Sequence, residues 1–147
     1  MLSWVKTATE LLYWTGRTDF PLTDTGVFDE WHQDPDIHAF MMFVGDDLIG
    51  YGECWYDDSD QSVELARLII KPEQRRNGHG SQLVKLLLQP ANQMHPHDIW
   101  MRVHPDNQRA ESVYLNAGFK RADEEKETAF NHGEKANFHW LHCSPKI

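Results

Sequence analysis

Between Lys71 and Gly80 the chain reads Lys-Pro-Glu-Gln-Arg-Arg-Asn-Gly-His-Gly, directly after a strand-like run and directly before a helix-like one. A strand, a glycine-containing turn and a helix N-terminus together make an anion site. The first N–H groups of a helix have no partner within it, and the aligned peptide dipoles add partial positive charge at that end. Gly78 and Gly80 remove side chains that would keep a phosphate from these amides, and Arg75 and Arg76 add cationic reach. The backbone of Arg75, Arg76, Asn77, Gly78, His79 and Gly80, with Ser81, is therefore the expected cradle. Two nucleotide motifs are excluded. No Gly-Lys-Ser/Thr follows, and Leu83 stands where a dinucleotide fingerprint needs its third glycine. Taken alone the segment also fits an ordinary strand-to-helix turn, because short glycine patterns recur by chance.

A second segment separates these readings. Residues 107–119 run Asn-Gln-Arg-Ala-Glu-Ser-Val-Tyr-Leu-Asn-Ala-Gly-Phe. Here the sequence resembles the GNAT superfamily of acyl-CoA-dependent N-acetyltransferases. The family's cofactor turn, Gln/Arg-x-x-Gly-x-Gly/Ala, is matched by Arg75, Gly78 and Gly80, and its later helix by Asn107, Ala110, Tyr114, Gly118 and Phe119. The resemblance covers roughly Val63 to Phe119, with both motifs in family order. It implies acetyl-CoA as co-substrate, no metal, and a pyrophosphate held by the turn. It further implies that the pantetheine arm lies beside a splayed strand, pairing with backbone groups of Leu68, Ile69 and Ile70. Asn107 would hydrogen-bond that arm, cap its helix, or do both.

Acetyl transfer to nitrogen needs the free amine. A lysine-like ammonium of pKa about 10.4 costs about 4 to 5 kcal/mol to neutralise at pH 7. A nearby carboxylate, acting directly or through water, eases that step. Glu64 is the first candidate base, since some histone-type relatives carry a glutamate at this place ahead of the turn. Glu53 is the second, and either also fits a solvated strand carboxylate. Tyr114 fits the general acid for the leaving thiolate, because a phenol is protonated at neutral pH; it also fits an aromatic packed beside Val113. A rival function of another class is a non-catalytic acyl-CoA-binding module.

These groups need a sheet and helices to hold them. The first 36 residues read as helical, with capping-box spacing at Thr7 and Glu10, a stop at Gly16, and a second helix from about Thr23 to His32. Ile37–Val44 and Leu48–Tyr56 form a hairpin about Gly45-Asp46-Asp47, and Ser62–Lys71 adds a third antiparallel strand. A helix from Gly78 to about Gln89 should end or kink at Pro90. A strand at Asp98–Val103, a helix at Asn107–Ala117 and strands at Phe119 to about Glu125 and Asn137–Cys143 complete the chain. The order predicts one α/β domain with a mixed, mostly antiparallel sheet covered by helices. The family's opening strand has only Met1–Val5 available, so it is short or missing.

The formal charge of −9 argues against nucleic acid and suits a cationic small-molecule or peptide amine. No apolar run is long enough to span a bilayer, and no leader-like segment precedes the first helix. Two cysteines without a spacing motif, Cys54 and Cys143, point to a reducing cytoplasm. Neither candidate metal set, His95, His97 and His104 or His132, His139 and His142 with Cys143, has a zinc spacing. Asp19, Asp57, Asp58, Asp60, Glu127 and Glu134 are candidates for an acidic acceptor mouth, and Trp4, Trp14 and Trp31 for core packing or an acceptor wall. A homodimer is compatible with the family.

Overall fold

Thr7 opens the first helix as its spacing predicts. Glu10 N–H donates to Thr7 Oγ1 at 3.0 Å, and the Glu10 carboxylate accepts from Lys6 N–H at 2.6 Å. The helix, α1 (Ala8–Thr15), ends at Gly16, whose φ of +74° suits glycine and whose N–H returns to Leu12 C=O. The computed structural model describes residues 1–146. A short helix α2 (Gly26–Trp31) follows, then strands β1 (Ile37–Val44), β2 (Asp47–Asp57) and β3 (Ser62–Ile70). After them come α3 (His79–Gln93), β4 (Asp98–Val103), α4 (Gln108–Asn116), β5 (Lys120–Arg121), α5 (Glu124–Asn131) and β6 (His139–Cys143).

The six strands form one sheet in the order β1-β2-β3-β4-β6-β5, antiparallel except for β3 against β4. That exception shapes the molecule. β3 and β4 pair only from Ser62–Glu64 to Asp98–Trp100, and beyond Glu64 they part. One face of the sheet buries Leu83, Val84, Leu87 and Ala91 of α3 against Cys54, Val63, Leu65, Ile99 and Met101. The opposite face packs Leu11, Trp14, Val27 and Trp31 of α1 and α2 over Tyr51 and Ile69. Trp4, Trp14 and Trp31 are all buried there, as packing requires. No helix among the described residues is long and apolar enough to cross a membrane.

Two expectations need correction, and the opening strand, expected to be short or missing, is missing among the described residues. Pro90 lies inside α3, which continues to Gln93. Its missing N–H would have met the carbonyl of exposed Leu86, which water can reach, while Leu87 and Ala91 keep the inner face packed and Asn92 Nδ2 donates to Leu88 C=O at 2.7 Å. The strand expected from Phe119 to Glu125 is only Lys120–Arg121, followed by α5. Asp123 caps that helix by accepting from Lys126 N–H at 2.7 Å, and Phe130 docks on Trp100 and Trp140 with ring centroids 4.8 Å away from each. Replacing Asp123 with Ala is expected to lower stability by about 1 kcal/mol in denaturant unfolding. The opening strand is absent among the described residues: Leu2–Trp4 is a 3₁₀ turn, and β1 forms the edge of the sheet.

Candidate active site

Where β3 and β4 part, their facing margins lose their ladder partners. Lys71 N–H donates to Ile49 C=O at 2.8 Å, so the alternation of the antiparallel ladder turns Ile69 toward β2. The N–H and C=O groups of Leu68 and Ile70 consequently face the opening. Arg75 Nε already binds the Ile70 carbonyl at 2.8 Å, which leaves Leu68 as the residue with both groups turned inward and no partner among the described residues.

Next to this opening lies the turn expected to cradle an anion. Gly78 caps α3 with φ +81°, a conformation that favours glycine, and Arg76 is also left-handed at φ +66°. Among the described residues the N–H groups from Arg76 to Ser81 make no hydrogen bond, as expected for the start of a helix. Gly80 is different: its φ is ordinary, and an added Cβ would touch only Val113 Cγ1, at 4.0 Å. The protein itself does not require glycine there. The space in front of Gly80 is what an incoming phosphate would use.

A cleft of about 630 Å³ runs from this cradle along β3 to α4. Leu68, Ile69, Ile70, Arg75, Arg76, Gly78, Gly80, Ser81, Asn107 and Tyr114 line it; Asn77 and His79 of the expected set do not. Its volume and its unpartnered amides fit an elongated phosphate-bearing ligand. Asn107 sits at the N-cap position of α4 without a side-chain cap bond, so its amide is left to the cleft. Arg75 is not a free cation. Its guanidinium also binds Glu10 and the Trp4 carbonyl, each at 3.1 Å, bracing the N-terminal segment against β3. Arg109, which sequence reasoning passed over, lines the cleft, and neither it nor Arg76 forms an ion pair among the described residues.

A second cleft of about 540 Å³ meets the first, and Tyr13, Trp14, Leu68 and Tyr114 line both. Tyr114 therefore stands at the junction. Its hydroxyl has no hydrogen-bond partner among the described residues, and burial pushes the phenol up to about 12. Glu64 lines the second cleft, but Arg102 Nε and Nη2 hold its two oxygens at 2.6 and 3.0 Å. Arg102 also reaches Glu134 at 3.3 Å. Glu53 lines neither cleft. It is fully buried, and it accepts from Tyr51, from Trp55 Nε1 and from Arg67 Nη1, the latter two at 2.8 Å. A carboxylate so enclosed has no path to a substrate proton, which argues against the Glu53 expectation. His104, considered from sequence only as a metal ligand, lines the second cleft and accepts Asp106 N–H at Nδ1.

The acidic residues do not gather at one mouth. Asp19 pairs with Arg17 and Glu127 with Arg121, each at 2.7 Å, and Glu134 alone of that set lines the second cleft. Asp57, Asp58 and Asp60 line a third cleft of about 770 Å³, which shares Trp55, Glu64 and Arg102 with the second. No group of three or more potential metal ligands converges among the described residues.

The family model described as "Acetyltransferase (GNAT) family" matches residues 5–119. No curated protein sequence matches the chain. Among solved structures, the spermidine N-acetyltransferase of Vibrio cholerae with CoA and spermine is 19% identical over 98% of this chain and 87% of that one, with TM-score 0.75. A Bacillus subtilis acetyltransferase with CoA is 19% identical over 82% and 83%, TM-score 0.66. The Campylobacter jejuni N-acetyltransferase PseH with acetyl coenzyme A is 21% identical over 82% and 76%, TM-score 0.63. At these identities the likeness is one of fold.

Proposed function

The chain belongs to the acetyltransferase (GNAT) family, and on that premise we propose that it moves the acetyl group of acetyl-CoA directly onto a primary amine in a ternary complex. The observation that carries this reading is the meeting of two clefts at Leu68 and Tyr114, one built for an anionic cofactor and one open to an acceptor. The thioester supplies the activated acyl group, and the chain's own residues do the rest. The turn amides from Arg76 to Ser81 hold the pyrophosphate, with Arg76 and Arg109 as counter-charges. Leu68 N–H, facing the opening, is placed to donate to the thioester carbonyl as negative charge develops there. Tyr114 donates to the departing sulfur. Glu64, held by Arg102, orders the acceptor side and takes the amine proton through water.

A cationic acceptor fits best. Glu134 lines the acceptor cleft, and the adjoining third cleft carries Asp34, Asp36, Asp57, Asp58 and Asp60. The Vibrio cholerae relative in fold holds spermine, an amine of that charge. Two thiols, Cys54 and Cys143, unpaired and with burial pushing them up to about 12 and about 11, are consistent with a cytoplasmic setting. The reading is tested by titrating the folded protein with acetyl-CoA and then following thiol release across a panel of amines. No binding of acetyl-CoA would refute it. Binding without thiol release from any amine would favour the acyl-CoA-binding module instead.

The protonation of Tyr114 gives a further expectation. With the phenol raised to about 12 by burial, the acid stays protonated across the usual assay range. The rate should climb with pH as the acceptor loses its proton, with no falling limb below about pH 11. A fall centred near the ordinary phenol value of about 10 would show an unshifted group and remove this basis for Tyr114 as the donor.

A further inference from the structure

Arg67 holds a backbone conformation that glycine normally takes. Its φ is +51°, and it lies where the β2–β3 ladder slips by one residue, since Glu53 pairs with Ala66 but Tyr51 with Ile69. A left-handed residue at a bulge is usually glycine, so an arginine here is strained and persists only because its surroundings fix it. They do so from every side. The Arg67 carbonyl accepts from Trp14 Nε1 at 2.8 Å. Nη1 pairs with buried Glu53 at 2.8 Å, and the guanidinium carbon lies 4.0 Å from the Trp31 ring centroid and 4.7 Å from that of Trp55. Nε is buried without a partner. Strain, charge burial and an orphaned donor all weigh against stability as the reason for this residue. The residue after it is Leu68, whose N–H and C=O face the opening and which lines both clefts, its side chain packing against the α3-side core.

We propose that Arg67 is a positioning residue: clamped between Trp31 and Trp55 and paired with Glu53, it holds the β3 bulge so that Leu68 N–H points at the thioester carbonyl. The proposal rests on the acetyl-transfer reading. It also gives the aromatic wall of the acceptor cleft, Trp14 and Trp55, a mechanical hold on the acyl site from the other side of the strand.

Arg67→Gly is the informative variant, because glycine accepts the same backbone conformation with less strain; it removes the clamp together with a side chain that lines the acceptor cleft, so the Leu68 amide response, and not kcat alone, reads the positioning role. Glu53 would then lose its counter-charge, so Arg67→Gly/Glu53→Gln is made beside it. Folding is followed by thermal unfolding, and acetyl-CoA affinity by calorimetry. Selective ¹⁵N-leucine labelling reads the Leu68 amide. In the parent, acetyl-CoA should move that amide further than CoA does, and in the folded variants this difference should vanish. Their kcat should fall about 10- to 100-fold. Their KM for acetyl-CoA should stay within about threefold of the parent. Propylguanidinium, which replaces the missing side chain, should restore part of the lost kcat in Arg67→Gly. A folded variant with parental kcat, or with the parental Leu68 response, would overturn the proposal. So would loss of folding in both variants, which would assign Arg67 to stability alone. Failure of the parent to bind acetyl-CoA would instead overturn the proposed function, and this inference with it, and is seen before any variant is made.

Discussion

Tyr114→Phe is expected to lower kcat by about 100- to 1,000-fold, the range for removal of a general acid in the role proposed for this hydroxyl, and to leave acetyl-CoA affinity within about threefold. The reasons are local. The ring packs into the core from α4 and stays in place in the variant, so the cleft keeps its shape. The hydroxyl has no protein partner among the described residues, so its removal orphans nothing. What is lost is one proton donor at the junction of the two clefts. Calorimetry and steady-state kinetics on the same preparation separate these quantities. Unchanged turnover would show that the leaving sulfur takes its proton from elsewhere.

Gly80→Asp is the second large effect, and it carries opposite signs in fold and function. Gly80 lies in the first turn of α3, where a carboxylate complements the helix dipole, and its Cβ meets only Val113 Cγ1 at 4.0 Å. Thermal stability should therefore hold or rise slightly. Acetyl-CoA binding should weaken at least about 100-fold, equivalent to ~2.7 kcal/mol, because a negative charge then occupies the turn proposed to hold the pyrophosphate. Gly78 would be a poorer probe, since its φ of +81° makes any substitution strained and mixes folding with binding. A Gly80→Asp protein that binds acetyl-CoA as the parent does would move the pyrophosphate site away from this turn.

The elements that carry the site were legible because each rests on local chemistry. The limits of β1 and β4 follow from short runs rich in apolar residues, broken only by His38 in the first and by Asp98 and Arg102 in the second, α1 from its Thr7–Glu10 cap, and α4 from its apolar face before Gly118. α5 was missed because Glu124–Asn131 has almost no apolar period; it forms through the Asp123 cap and the docking of Phe130. The Asp-x-x-Lys spacing with three glutamates in the first turn was the available signal. Within the site, most of the cradle could be read from glycine spacing. The brace formed by Arg75 could not, because its partners Glu10 and Trp4 lie some seventy positions away in sequence. The pairing of Glu64 with Arg102 and the burial of Glu53 are likewise products of strand register, as is the bulge at Arg67.

The parting of β3 and β4 places two raw sheet margins in the middle of the molecule. In the acetyl-CoA complex the pantetheine arm would stand where a strand is missing, so ligand and fold stabilise each other. Cofactor at a hundredfold excess over its Kd adds about 2.7 kcal/mol to the folded state. For a protein of ordinary marginal stability, that is a large share of what keeps it from proteases. The lifetime of this chain in a cell would then follow its combined pool of CoA and acetyl-CoA, since both carry the same pantetheine arm.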